Sequence, residues 1–168
     1  MKCEKCGAEV PSGGRFCQSC GAEMFEDDTK KPKDINLEWL EGIMTRVGYK
    51  RQPDKEGDSQ VFGTHEKMNS LALTLRKNLG LISLESFFLM KKVGRRGRSD
   101  LYVALNKANG SGYVITCFYT ETNDLLGIYS FVPITESLTE RDVITVIEKF
   151  DGEINNALVN SGLMNFLQ

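Results

Sequence analysis

Apolar positions recur along most of this chain with a period that switches from helical to strand-like and back. Leu37, Leu40, Met44 and Val47 fall three and four apart, with Trp39 and Ile43 widening the stripe, which predicts a helix over 35–47. Asp34 is placed to cap its start, and Gly48 to close it in the left-handed conformation. After a polar stretch at 52–58, strands are expected at 59–67, 70–77 and 81–90. The middle one alternates Leu71, Leu73 and Leu75 with Ser70, Thr74 and Arg76. The third puts Ile82, Leu84, Phe88 and Met90 on one face. Short connections, one of them near Leu79 and Gly80, make neighbouring strands antiparallel.

The pattern then breaks. Lys91, Lys92, Arg95, Arg96 and Arg98 surround Gly94 and Gly97, which reads as a flexible basic loop. Ser99 is placed to cap a short helix to about Ala108, with Leu101, Leu105 and Ala108 inward and Asn109-Gly110 as its stop. Two strands rich in Val, Ile, Tyr and Phe are expected at 112–121 and 125–133, joined by a turn at Thr122, Asn123 and Asp124. A last helix opens on Thr139 with Asp142 three positions on, and Leu138 and Val143 are placed as a staple. Its stripe is Val143, Ile147, Phe150, Ile154 and Leu158, with Gly152 and Gly162 as places to bend or stop. The apolar tail Leu163, Met164, Phe166 and Leu167 would fray in water, so it either folds back or meets a partner. The expected class is α+β: helices packed on an antiparallel sheet in the order α-βββ-α-ββ-α, over 35–168.

Ahead of this domain the chemistry changes. Cys3 and Cys6 are separated by two residues and followed by Gly7, and Cys17 and Cys20 repeat the arrangement before Gly21. A cysteine pair at that spacing sets two thiolates on one side of a tight turn, and the glycine supplies φ > 0. Two such turns provide four sulfurs for a tetrahedral ion, with one structural Zn²⁺ the best match. An S₄ iron site and two disulfides are the rivals, although duplicated knuckles are not what a disulfide scaffold needs. Val10, Phe16 and Met24 are nearly all the apolar content of 1–24, so metal binding must do what a core cannot. A turn is expected at 10–14, with Phe16 against the metal loops. Residues 25–34 carry dense charge of both signs and one Pro, and read as a flexible linker.

Composition narrows the function classes. The 168 residues include 21 Lys+Arg and 23 Asp+Glu, a net charge of −2, which argues against a surface built wholly for nucleic acid. Residues 1–34 carry six cations against seven acids and the remainder fifteen against sixteen, so neither part is basic. No apolar run approaches the ~20 residues of a membrane span, and no secretory signal is visible. Thiolates reserved for metal fit a reducing compartment, so a cytoplasmic protein is expected.

Two resemblances add to these readings. The knuckles, the turn between them and the aromatic residue before Cys17 resemble the small zinc-ribbon modules at the ends of many bacterial and archaeal proteins. From about Asp34 to Leu167, the element order is similar to that of the YbjN family. The stretch Leu105-Asn106-Lys107-Ala108-Asn109, the aromatic hairpin and Leu138-Thr139-Glu140 carry the likeness. That resemblance implies a bacterial domain described as a regulator of sensory transduction, with a fold like the type III secretion chaperones. It further implies a small dimeric protein that binds other polypeptides, and it transfers no catalytic residue.

No catalytic set is expected. His65 is the only histidine and has no acid or nucleophile at a telling spacing. Gly94 to Gly97 lacks the spacing and the Lys-Ser/Thr ending of a phosphate loop. Cys117 reads as a buried small hydrophobe, and Asn106 and Asn109 as helix-end residues bonding nearby backbone. The expected function is a protein-binding adaptor or chaperone-like regulator, with the ribbon as a second contact surface. The alternative is a nucleic-acid-associated regulator using the ribbon and the cations of 91–98, although no aromatic residues are interleaved there for stacking.

Overall fold

The computed structural model describes residues 2–3, 5–9, 17–22, 34–53, 59–111 and 115–168. The expected turn at 10–14, Phe16, Met24, most of the 25–34 linker, loop residues 54–58 and the start of the strand at 112–121 lie outside them.

The first helix, α1, spans Leu37–Val47. It is capped by Asn36 rather than Asp34: the Asn36 side-chain oxygen accepts from the Trp39 N–H at 2.9 Å. Asp34 lies two residues too early to reach the first free amides. Gly48 closes the helix at φ 102, returning its N–H to the last-turn carbonyls. The apolar stripe does what its spacing dictates, burying Leu40, Ile43 and Met44.

Six strands follow, one more than expected: β1 Lys50–Arg51, β2 Gln60–Thr64, β3 Leu71–Arg76, β4 Leu81–Leu89, β5 Thr116–Thr120 and β6 Leu125–Pro133. The extra strand β1 is two exposed residues paired with Thr64 and Gly63, too short to show any alternation. The sheet order is β1-β2-β3-β4-β6-β5, and every pairing is antiparallel. The second helix, α2 (Arg95–Asn109), crosses from β4 to the outer strand β5. The third, α3 (Glu140–Ser161), follows β6.

Register sorts the sheet into two faces. Val61, Leu73, Leu84 and Ser130 align across the strands, as do Leu75, Ile82 and Val132, and Phe88, Leu126 and Tyr119. These rows meet the buried side chains of all three helices in one core, including Ile43, Leu101, Leu105, Ile147 and Ile154. At about 25 cal/mol per Å² of apolar area removed from water, this core is the main stabilising term of the domain. Polar ties link its layers: Arg46 pairs with Glu140 at 2.8 Å, and Asp151 accepts from the backbone and side-chain N–H groups of Asn69 at 2.7 and 2.8 Å.

Two expectations change. Residues 95–98 are not loop but the first turn of α2, which starts after Gly94, so Ser99 sits inside the helix instead of capping it. Arg is a good helix former, and the glycines flanking this run hide that propensity. The stop at Gly110 holds, with its backbone N–H returned to the Asn106 and Ala108 carbonyls. The terminus, by contrast, takes the first of its two expected courses. Gly162 ends α3 at φ 86, Leu163 is fully buried, and Leu167 forms a bridge with Met90. The Lys91 N–H donates to the Phe166 carbonyl at 2.8 Å and the Gln168 N–H to that of Leu89 at 3.1 Å.

Candidate functional site

The two cysteine knuckles fold alike. The Gly7 N–H donates to the Cys3 carbonyl at 2.7 Å, and the Cys3 N–H to Ala8 at 2.9 Å. The second copy repeats both bonds, Gly21 to Cys17 at 2.8 Å and Cys17 to Ala22 at 2.7 Å. Gly7 and Gly21 take φ 71 and 69, the left-handed values the spacing requires. Together these turns set all four sulfurs within 4.8 Å of one another. Cys3 Sγ lies 3.6 Å from Cys20 Sγ, and Cys6 Sγ 3.5 Å from Cys17 Sγ. A tetrahedral ion with Zn–S bonds of about 2.3 Å needs sulfurs about 3.8 Å apart, so the four cysteines fit such an ion. Cys3 and Cys17 are buried, whereas Cys6 and Cys20 face solvent.

Electrostatics favour a cation at this point. The backbone N–H groups of Ser19 and, less strongly, Cys20 hold the Cys17 thiol down to about 6. The Ala8 N–H also pulls on Cys6, but the side chains of Cys20, Cys17 and Cys3, with desolvation, push it up to about 12. Four crowded thiols thus resist ionising together unless a positive ion is present among them.

The other singled-out residues take structural places. The His65 Nδ1 accepts from the backbone N–H groups of Lys67 and Met68, both at 3.0 Å, and its ring packs against Tyr49. Asn109 uses its whole amide: Nδ2 donates to the Cys117 carbonyl at 2.9 Å, and Oδ1 accepts the Cys117 N–H at 2.6 Å. It pins the end of α2 to β5 as a neighbouring strand would. Asn106 is exposed. Cys117 is buried, and desolvation raises its thiol to about 11, away from a reactive thiolate.

Sequence reading missed the second face of the sheet. Rows Phe62–Ala72–Glu85–Tyr129, Phe87–Gly127–Phe118 and Leu89–Leu125–Thr120 lie on the side away from the helices. None of Phe62, Phe87, Phe118, Tyr129 and Phe131 packs against the helix-covered core. Phe118 lies over Gly127, where a Cβ would collide with the ring, and stacks on Tyr129 at 4.7 Å. Phe87 meets Tyr129 edge-on at 5.9 Å. Phe87, Leu89 and Phe131 are 42%, 60% and 51% exposed, so a clustered aromatic surface faces water. Its charged members are neutralised in place: Arg76 donates to Glu85 at 3.0 Å, as does the Ser83 hydroxyl at 2.6 Å. The signal was present in Phe87-Phe88, adjacent aromatics that a strand must send to opposite faces.

No family model matches the chain, and no curated protein matches it. Solved structures do. The chain is similar to YbjN from E. coli, described as a proposed transcription regulator, with a TM-score of 0.62 and 12% identity over 80% of this chain and 96% of that one. It is also similar to an uncharacterised protein from Methanothermobacter thermautotrophicus, with a TM-score of 0.53 and 8% identity over 77% of this chain and 99% of that one. The α+β domain has the YbjN fold. A chain of the HopA1–SchA chaperone–effector complex matches more loosely, with a TM-score of 0.45 and 14% identity over 73% of this chain and 94% of that one. Among the described residues no helix is long and apolar enough to cross a membrane.

Proposed function

We propose that this chain is a non-enzymatic protein-binding adaptor or chaperone-like regulator that receives a polypeptide partner on the open face of its sheet. The observation that carries the reading is the aromatic cluster of Phe87, Phe118, Tyr129 and Phe131 outside the core. Aromatic side chains are enriched where proteins meet, and a fold gains nothing from holding them in water. The fold shared with YbjN is compatible with this role. In the same proposal the front module binds one Zn²⁺ through Cys3, Cys6, Cys17 and Cys20 and acts as a second contact surface, tethered by 25–34. The homodimer implied by the resemblance belongs to the proposal as well, and native mass measurement decides it.

The test is affinity capture with the intact protein, with Phe87→Ala/Phe131→Ala, and with a chain lacking residues 1–33. The double variant should keep its melting temperature and lose a defined partner that the wild-type protein retains. Equal capture by both would remove the open face from the account. Salt-sensitive retention of DNA or RNA instead of protein would favour the nucleic-acid alternative.

A further inference from the structure

A run of cations adjoins one end of the open face, part of it on the first turn of α2. The last row of that face, Leu89–Leu125–Thr120, lies at the end of the sheet from which the chain continues into Lys91, Lys92, Arg95, Arg96 and Arg98. Lys91 follows Leu89 by two residues, so the cations begin within ~7 Å of that row at strand rise. The Met90 N–H donates to the Asp124 carbonyl at 2.8 Å, and Arg98 pairs with Glu121 at 3.2 Å, which ties the β5–β6 turn and the start of α2 to the same end. The neighbouring acids are mostly in use. Glu121 accepts from Tyr102 as well as Arg98, and Asp124 accepts from the Tyr119 hydroxyl at 2.8 Å. Lys91 donates to the Asn165 carbonyl at 3.2 Å. The side chains of Lys92, Arg95 and Arg96 are exposed and hold no hydrogen bond or ion pair among the described residues. Their position also costs the free chain stability, since Arg95, Arg96 and Arg98 sit in the first turn of α2, which carries no acid and no side-chain cap.

Area decides between a folded partner and a segment. A fully exposed aromatic offers about 150–250 Å², so Phe87, Leu89 and Phe131 at their observed exposures present about 300 Å² of apolar surface. A stable interface between folded proteins buries about 800 Å² on each side, a little over half of it apolar, or about 450 Å² of apolar surface. The open face suits something smaller than a second copy of the chain. We infer, on the basis of the function proposed above, that its occupant is a short polypeptide segment with aromatic or aliphatic side chains followed by Asp or Glu. The apolar part lies over Phe87, Leu89 and Phe131, and the carboxylates lie against Lys92, Arg95 and Arg96.

Selection of short random peptides displayed on phage against the immobilised full-length protein tests this directly. The recovered segments should carry an apolar stretch followed by acids. A labelled peptide of the selected sequence should lose affinity about tenfold for Arg95→Glu/Arg96→Glu, as expected for two exposed charge pairs turned repulsive. Replacing its acids by Lys should restore binding to that variant, and Phe87→Ala should weaken both peptides; thermal melts establish that each variant is folded. Apolar segments without acid preference, bound equally by the charge-reversed variant, would overturn the inference while leaving the open face as a protein-binding surface. Selection indifferent to Phe87→Ala would overturn both readings. Salt-sensitive binding of labelled oligouridylate that displaces the peptide would overturn the inference by assigning the surface to nucleic acid.

Discussion

In the front module the described buried apolar set is Cys3 and Cys17, with Ala8 and Ala22 packed beside them. In the α+β domain 30 of the described residues, drawn from all three helices, five of the six strands and the segments between them, form one continuous buried core. In the proposed account the two regions reach order by different physical routes. Thiolate–metal bonds are few, strong and directional, and a chelator or an acid can remove them. Buried hydrocarbon is weak per atom and spread over dozens of contacts, so no single reagent takes it away. The contrast teaches that the halves should respond to different perturbations and barely to each other's.

The largest effect should come from Cys17→Ser. Structural zinc sites contribute ~10–16 kcal/mol of apparent binding free energy near neutral pH, so loss of one ligand should abolish stoichiometric metal. Elemental analysis gives a clean ratio, one zinc per eleven sulfurs in the wild-type chain from its 5 Cys and 6 Met. The melt of the α+β domain should stay unchanged in the variant. Leu84→Ala sharpens the comparison from the other side. Leu84 is fully buried at the centre of β4, and its truncation should cost the domain ~2–5 kcal/mol in denaturant unfolding while leaving metal content intact.

Smaller effects probe local devices. Gly127→Ala forces the Phe118 ring off its seat, with an expected cost of ~1–3 kcal/mol and a changed near-ultraviolet circular dichroism from the Phe118–Tyr129 stack. Thr139→Ala should cost ~1 kcal/mol by removing the cap of α3. That loss should depend on pH. The Thr139 hydroxyl, then its backbone N–H, hold the Asp142 carboxyl below its usual value. The stabilisation is present above the ordinary carboxylate range and is lost as pH falls through the lowered value, so the gap between wild type and variant should narrow in acid.

Local rules were the legible part of this molecule. The knuckle spacing, Gly48, the Thr139–Asp142 capping box and the 125–133 strand each need only a few neighbouring residues to decide them. What escaped depends on distant partners. Strand β1 exists because Thr64 and Gly63 offer it a ladder, not because Lys50 and Arg51 favour one. The Arg-rich turn of α2 resembled a loop because its outer side faces solvent and shows no apolar period. The alternation in β3 also hid the burial of Ala72 and Thr74 on the opposite side of the strand. The aromatic surface became visible only when register set Phe87, Phe118 and Tyr129 side by side. That the four cysteines come close enough to hold one ion was legible from their spacing, because four sulfurs on two tight turns leave few ways to be arranged.

The most direct test of the account is amide hydrogen exchange on the full-length protein, read residue by residue before and after a strong zinc chelator is added. Protection at residues 5–9 and 17–22 should vanish with the metal, while the amides of β3, β4, β6 and α3 keep their exchange rates. Simultaneous loss of protection in both regions, or an unchanged front module after the metal has gone, would contradict it.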